Sequence, residues 1–235
     1  ADPVQPNAPS ETDRFDPLTH LPNRREFLDR LGAELGNGGG RSIAVLLVDI
    51  DGFRRINRER GHEVGDELLF SVGRRIRAAI DAGDYLSRAG GDQFAVLSAG
   101  LAVPADFAAL GKRILAAFDA PFELGGVEFE ATVSVGVAVT DDAGASPEGL
   151  IADAEAALEI APPGIRRFEI FDAELRERFR ARTELGRELA MALAAGDVGL
   201  AFQPIVDIAS GRIVSVEALA RWENRAGGPI SPESF

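Results

Sequence analysis

The apolar positions of this chain change period several times, and each change marks an element. After Pro22-Asn23, residues Phe27, Leu28, Leu31 and Leu35 fall on one helical face, and Gly36 to Gly40 stop the run. Ile43 to Val48 is unbroken apolar sequence ending in Asp49-Ile50-Asp51-Gly52. That pattern suits a strand buried on both faces, with carboxylates delivered at its C-terminal edge. Val64, Leu68, Val72, Ile76 and Ile80 form one i, i+4 row and predict a second helix. Leu86 to Leu97 then reads as strand, tight turn, strand: two apolar runs meet through Gly90-Gly91, and Asp92 stands just past the turn. Read alone, that stretch is a plain hairpin.

A third helix carries Phe107, Leu110, Ile114 and Phe118. From Val127 to Val139 apolar residues alternate with polar or small ones, which predicts one long strand. A helix follows from about Pro147 to Ala161 and is broken by Pro162-Pro163-Gly164, and Phe168 to Phe171 makes a short strand. Helices interspersed with hairpins predict an α/β sandwich whose central sheet is mainly antiparallel and flanked by helices. Asp172 to Asp197 is one long amphipathic pattern, with Leu175, Phe179, Leu185, Leu189 and Leu193 facing one way. Two strand-like runs, 198–208 and 213–222, come after it and cannot bury both faces by themselves. The expected organisation is a linker or disordered arm over 1–15, a main domain over 16–171, a connecting helix over 172–197 and the start of a second domain over 198–235.

Composition narrows the chemistry. The absence of cysteine among 235 residues excludes disulfides, zinc thiolates and thiol nucleophiles. Two histidines, His20 and His62, leave little scope for a histidine-built metal site. A net charge of −13 argues against binding nucleic acid or an anionic membrane surface. It leaves room for a nucleotide, since a phosphate site needs only local cations, backbone N–H groups or a metal. No apolar run approaches the ~18 residues of a membrane span, and the expected location is cytoplasmic.

The candidate chemistry gathers at the ends of two strands. If the strands are neighbours, Asp49 and Asp92 converge at one sheet edge and can hold Mg²⁺, which takes oxygen ligands and keeps waters and phosphates in its shell. The same spacing also fits two solvated turn aspartates. An EF-hand does not fit, because the glycine comes too early and the closing glutamate is missing. Backbone N–H groups of Gly52 and Phe53 open the next segment and suit phosphate oxygens. Asn57 and Asp66 offer an amide and a carboxylate to the edge of a guanine base, although as isolated residues each also suits a cap or turn.

These motifs together resemble the GGDEF family. Asp16-Pro17-Leu18-Thr19-His20-Leu21-Pro22-Asn23-Arg24 is similar to that family's leading motif. Asp49 to Asn57, Gly61-His62 and Gly65-Asp66 match its central block in spacing. Arg88-Ala89-Gly90-Gly91-Asp92-Gln93-Phe94 is its signature with one change, and Val133 to Ala138 is similar to its later strand. The resemblance implies a diguanylate cyclase, in which two protomers of a dimer each hold one GTP and form cyclic di-GMP and pyrophosphate. It implies that Asp49, Asp92 and the Ile50 carbonyl hold Mg²⁺ (or Mn²⁺). Gly52 and Phe53 then take phosphates, Asn57 and Asp66 read guanine, and Gly90 and Gly91 let the nucleotide approach the hairpin.

Three departures change the expectation. Gln93 stands where the family signature has a glutamate, at a catalytic position. Pro162-Pro163-Gly164-Ile165 replaces the family's Lys and Arg phosphate clamp, with only Arg166 or Arg167 as a partial substitute. Asp81 and Asp84 occupy the positions of the family's Arg and Asp inhibitory product site, so feedback inhibition there is not expected. Beyond the long helix, Gln203-Pro204-Ile205-Val206-Asp207, Glu217 to Trp222 and Ile230-Ser231-Pro232 resemble the start of an EAL domain, a barrel that hydrolyses cyclic di-GMP. Glu217 resembles that family's first metal ligand. Too little of the barrel follows for this chain to hydrolyse cyclic di-GMP itself. The resulting expectation is a degenerate cyclase domain that binds GTP and regulates an attached EAL domain. The alternatives are a weakly active cyclase and a protein-interaction module that binds no nucleotide.

Overall fold

The structure is a computed structural model, and it describes residues 14–37, 41–101, 104–142, 144–160, 168–223 and 229–230. In chain order the elements are α1 (Arg24–Gly36), β1 (Ser42–Ile50), α2 (Phe53–Arg60), α3 (His62–Ala79), β2 (Tyr85–Gly90), β3 (Gln93–Leu101), α4 (Pro104–Ala116) and β4 (Phe122–Leu124). They continue with β5 (Val127–Phe129), β6 (Val133–Thr140), α5 (Pro147–Ile160), β7 (Phe168–Phe171), α6 (Ala173–Ala195), β8 (Gly199–Val206), β9 (Ile213–Glu223) and β10 (Pro229–Ile230). The chain divides into two units, Ala1–Leu175 and Arg176–Phe235. Most of the arm expected over 1–15 lies outside the described residues, as does the 162–167 segment. Phe15 already pairs with Pro22, and Arg14 with Glu26, so both belong to the folded domain.

The first unit is an α/β sandwich on a five-stranded sheet of order β2-β3-β1-β6-β7. Every pairing is antiparallel except β6–β7, so the mainly antiparallel sheet is as the sequence predicts. The central strand β1 is buried along nearly its whole length because both faces are covered. Ala44, Leu46, Val48 and Ile50 pack on the α2–α4 side with Leu68, Val72, Phe107 and Ile114. Ile43, Val45 and Leu47 face the other way, onto Phe27 and Leu31 of α1 and Leu150 and Ile151 of α5. Alternation therefore puts Asp49 on the α1/α5 face, at the open end of the strand. The approach of α5 is close: a Cβ on Gly136 would overlap the Ala154 carbonyl oxygen and stand 2.8 Å from Leu158 Cγ.

Three expectations are corrected. The strand expected over Val127 to Val139 is two strands with different partners. Its first part, β5, pairs with β4 in a separate ribbon, and only β6 joins the main sheet. Alternation sets side-chain faces but says nothing about which strand lies alongside. The segment before the expected second helix is itself a helix, α2, which Gly61 separates from α3 at φ 90. Ile80, expected within the second helix, is the extended residue that ends α3.

In the second unit β8 and β9 pair antiparallel, and β10 adds to β9. Leu200, Phe202, Val214 and Val216 stay more than half exposed, as expected of strands unable to bury both faces. The apolar row expected along the long helix is interrupted at Leu193, which is 60% exposed while neighbouring Ala192 is buried.

Candidate functional site

The site begins at the end of β1. Asp49 is paired in register with Gln93 of β3 on one side and with Ser134 of β6 on the other. Asp49, Gln93 and Ser134 thus form one row across three strands, on one face of the sheet. Asp92 directly precedes Gln93, in the two-residue turn Gly91-Asp92 that closes β2 onto β3. The two strands expected to be neighbours are neighbours, and both aspartates stand at the same sheet edge. Gly91 has φ 54 and Gly90 φ 136, conformations that side chains resist. The hairpin's outer face is open, since a Cβ on either glycine would meet nothing within 4 Å.

Asp51, two residues on, has a different task. Its backbone N–H donates to the Thr132 carbonyl (3.0 Å), and its carboxylate accepts from Thr132 Oγ1 (2.6 Å) and Ser134 Oγ (2.7 Å). These bonds extend the β1–β6 ladder past Ile50 and fix where the chain leaves the sheet. Gly52 then turns in the left-handed region (φ 72, ψ 21) and starts α2 without a side-chain cap. The first N–H groups of α2 are therefore left for another acceptor.

Asn57 and Gly65, the residue before Asp66, meet at the junction of α2 and α3. Asn57 lies against Gly65, where an added Cβ would overlap its Oδ1. That oxygen is buried and accepts no hydrogen bond, although the residue as a whole is only half-buried. Asp66, which follows Gly65 in sequence, is exposed.

The hairpin is tied to the leading motif by Arg88, a contact that sequence reasoning missed. The Arg88 guanidinium donates to both Asp16 oxygens (2.9 and 3.0 Å) and, through Nε and Nη2, to the Gly91 carbonyl (3.1 and 2.7 Å). The Arg88 N–H also donates to the Pro22 carbonyl at 2.9 Å. Burial tends to raise the pKa of Asp16. The Thr19 N–H, the Thr19 hydroxyl and the Arg88 guanidinium outweigh it and hold the carboxyl below its ordinary value. Both residues stood in the quoted motifs, but their pairing spans 72 positions of sequence and leaves no periodic trace.

At the turn after α3, Asp81 pairs with Arg113 (2.8 Å), and Asp84 accepts from the Asp81 N–H (2.9 Å). Arg77 donates to the Asp84 and Asp81 carbonyls. Both carboxylates are thus engaged within the turn. A groove of about 340 Å³ lies between Thr19, Leu21 and the Phe70, Gly73 and Arg74 side of α3, away from the aspartates. Glu217, in the second unit, is exposed on β9 opposite Gln203.

Comparison with known proteins decides the family. The profile described as "Diguanylate cyclase, GGDEF domain" matches residues 13–164, and that of the "EAL domain" matches residues 186–235. The chain belongs to the GGDEF family. A relative, the bifunctional diguanylate cyclase/cyclic di-GMP phosphodiesterase MucR of Pseudomonas aeruginosa, is 34% identical over 94% of this chain and 32% of its own length. The cyclic di-GMP phosphodiesterase PdeR of Escherichia coli is 31% identical over 94% of this chain and 33% of its own length. The chain spans a third or less of the length of these curated relatives. Among solved structures, the GGDEF domain of TpbB (YfiN) from Pseudomonas aeruginosa superposes with a TM-score of 0.65 at 34% identity. It covers 71% of this chain and 99% of its own.

A divalent cation of the kind GGDEF domains use fits this donor set in a restricted way. The carboxylates of Asp49 and Asp92 and the Ile50 carbonyl are oxygen donors of the kind Mg²⁺ takes, and would fill part of its shell with phosphate oxygens and water as the remainder. Among the described residues no three His, Cys, Asp or Glu side chains group as a metal site. No helix among the described residues is long and apolar enough to cross a membrane.

Proposed function

We propose that the GGDEF domain binds GTP together with Mg²⁺ or Mn²⁺ and acts as a regulatory module for an attached EAL phosphodiesterase in cyclic di-GMP signalling. Its own cyclase step is impaired. The observation that carries this reading is the cross-strand pair of Asp49 with Gln93. An amide faces Asp49 where the family signature supplies a carboxylate, while Asn57, Asp66, Asp49 and Asp92 are retained and the Lys and Arg phosphate clamp is not.

Each residue has a physical role in that reading. The Asp66 carboxylate accepts from the adjacent N1–H and N2–H donors of guanine, and the Asn57 amide donates to a ring acceptor. Adenine presents an acceptor at N1, which a carboxylate repels, so the pair selects by repulsion as well as attraction. The uncapped N–H groups of Gly52 and Phe53 receive phosphate oxygens. The open face of Gly90 and Gly91 admits the nucleotide to the hairpin. Asp49, Asp92 and the Ile50 carbonyl hold the cation, which when bound polarises a phosphoryl oxygen. Gln93 keeps the shape of glutamate but can neither carry that negative charge nor take a proton. Losing one such preorganised electrostatic contact costs roughly 10²–10³ in rate.

A weakly active cyclase is the second reading, favoured by the retention of both Asp49 and Asp92. It requires two protomers, since the 3′-hydroxyl of one GTP attacks the α-phosphate of the other. In either case product inhibition at the 81–84 turn is absent, because Asp81 and Asp84 are acidic and already bonded.

Calorimetry with GTP, ATP and Mg²⁺, followed by product separation, tests the proposal. The expected result is GTP binding that Asn57→Ala abolishes, no comparable ATP binding, and little or no cyclic di-GMP. Ready turnover would select the second reading, and no GTP binding would leave only a protein-interaction role.

A further inference from the structure

We propose that the groove between α3 and the leading motif is the docking site of this chain's own proline-bearing segment, residues 1–13, bound as a polyproline II helix. The inference is independent of the nucleotide reading.

The groove, about 340 Å³, has its floor where α3 meets the leading motif: Gly73 is buried, and a Cβ there would stand 3.1 Å from Leu21 Cδ1. Thr19, fixed by its bonds to Asp16, forms one wall, and Phe70, Arg74 and Arg77 of α3 form the other. Phe70 is 45% exposed although it stands on the polar side of α3. Among the described residues of the first unit, the exposed large hydrophobics are Phe15, Phe70 and Val127. Val127 belongs to the tip of the β4–β5 ribbon, whereas Phe15 directly follows the segment in question and Phe70 lines the groove.

Three properties of residues 1–13 match this surface. Pro3, Pro6 and Pro9 recur at every third position. A polyproline II helix turns once in three residues and rises about 3.1 Å per residue, which sets the prolines on one edge about 9 Å apart. Phe70 and Arg77, seven residues apart on one face of α3, are about 10.5 Å apart along its axis, nearly in step with that edge. Such preformed helices lose little entropy on docking against aromatic side chains. The segment is also purely acidic, with Asp2, Glu11 and Asp13 and no basic residue. Arg74 makes no hydrogen bond or ion pair with a described residue, and Arg77 bonds to the neutral carbonyls of Asp81 and Asp84. Neither charge is therefore met by a carboxylate among the described residues. Finally, the Phe15–Pro22 pairing sets the segment's point of entry beside Leu21, on the groove itself. Docked there, the segment bears on α3, whose start carries Gly65 and Asp66.

The absence of cysteine lets Gln5→Cys carry a single nitroxide label in the full chain. Amide spectra of the nitrogen-15 protein, compared with those after reduction of the label, then locate the segment. Loss of most of the signal is expected at Gly73, Arg74 and Ala78, with the Gly125–Gly126 tip unchanged. Recovery of those signals is expected in Arg74→Glu, in Phe70→Ser and in the triple variant Pro3→Gly, Pro6→Gly and Pro9→Gly, while Arg60→Glu should match the parent. The glycine variant lies outside the folded domain, so its result does not depend on the stability of α3. Full signal at the groove in the parent, or equal broadening in the parent and the glycine variant, overturns the proposal. Equal broadening when label and nitrogen-15 are on separate chains also overturns it, and assigns the groove to the segment of a second copy.

Discussion

Replacing Gln93 by glutamate puts a second carboxylate directly opposite Asp49, and the consequence can be worked out before any turnover is measured. Directly opposed residues on antiparallel strands have Cβ atoms about 5 Å apart, and both positions are half-buried. Two like charges at about 5 Å repel by about 3 kcal/mol at an effective dielectric constant near 20, less where solvent reaches them. Gln93→Glu should therefore lose about 1–3 kcal/mol without metal, a fall of about 2–10 °C in Tm for a domain of this size. Asp92, the new carboxylate at position 93 and Asp49 would then make a group of three carboxylates such as the described residues lack. Magnesium at about a hundred times its dissociation constant returns about 2.7 kcal/mol. The melting temperature should thus depend on Mg²⁺ in the variant and be nearly indifferent to it in the wild type without nucleotide. Differential scanning fluorimetry across an Mg²⁺ series, with Ca²⁺ as a second ion, reads this directly. Equal melting of the two proteins at every metal concentration would refute the convergence of these side chains. A cyclase assay on the same samples should show a gain of roughly 10²-fold in the variant.

Gly65→Ala should displace the Asn57 carboxamide and lower GTP affinity at least about tenfold. Stability should hold or rise, because alanine favours a helix interior by about 1 kcal/mol; circular dichroism and calorimetry check the two parts. Arg88→Ala should cost about 1–3 kcal/mol by urea denaturation, since it strands the partly buried Asp16 and frees the Gly91 carbonyl. Because the Asp16 carboxyl is held low in the fold, its contribution is complete above the unfolded value near 3.9 and is lost as pH falls through the folded one. Acid-unfolding curves of Arg88→Ala should accordingly be less steep in that range than those of wild type. Gly136→Ala should destabilise by about 1–3 kcal/mol or more through overpacking against α5, seen as a lower urea midpoint at unchanged slope.

What the chain order reveals and what it hides follow from the range of the interactions. The double-faced burial of β1, the hairpin through Gly90-Gly91 and the amphipathic row of α3 are local patterns, so their elements stand where the periodicity puts them. The helix α2 was hidden because eight residues with four arginines offer only Phe53 and Ile56 as buried positions, too few for a period. The break between β5 and β6 was hidden because its cause lies far away, in the bonds of Thr132 and Ser134 to Asp51 across 81 and 83 residues. Asp49, Asp92, Asn57 and Asp66 stand out in the sequence only as parts of motifs, and the neighbouring placement of the strands that carry Asp49 and Asp92 is what the structure adds. Gly65 was legible only as part of a motif, and its reason, room for the Asn57 amide, needed coordinates.

The two halves of the site stand on different elements, and that separation explains how one can decay while the other persists. In the proposed reading, base recognition falls to the α2–α3 junction, where Gly65 packs against Asn57 of α2 and not against the hairpin. The proposed metal edge lies on β1 and β3, where a carboxylate at position 93 opposite Asp49 would repel it whenever the cation is absent. A glutamate at position 93 thus carries a standing cost in the unliganded domain that only catalysis makes worthwhile. An amide there removes the repulsion and keeps the side-chain shape, so Gln93 stabilises the empty site while lowering its reactivity, the usual direction of a stability–activity trade-off. Asp49 and Asp92 need not be lost with it, because with one fewer negative charge between them they still suit a cation that arrives with its nucleotide. On the proposed function, the retained Asp49 and Asp92 and the exchanged residue 93 are the pattern that a site holding GTP without converting it would leave.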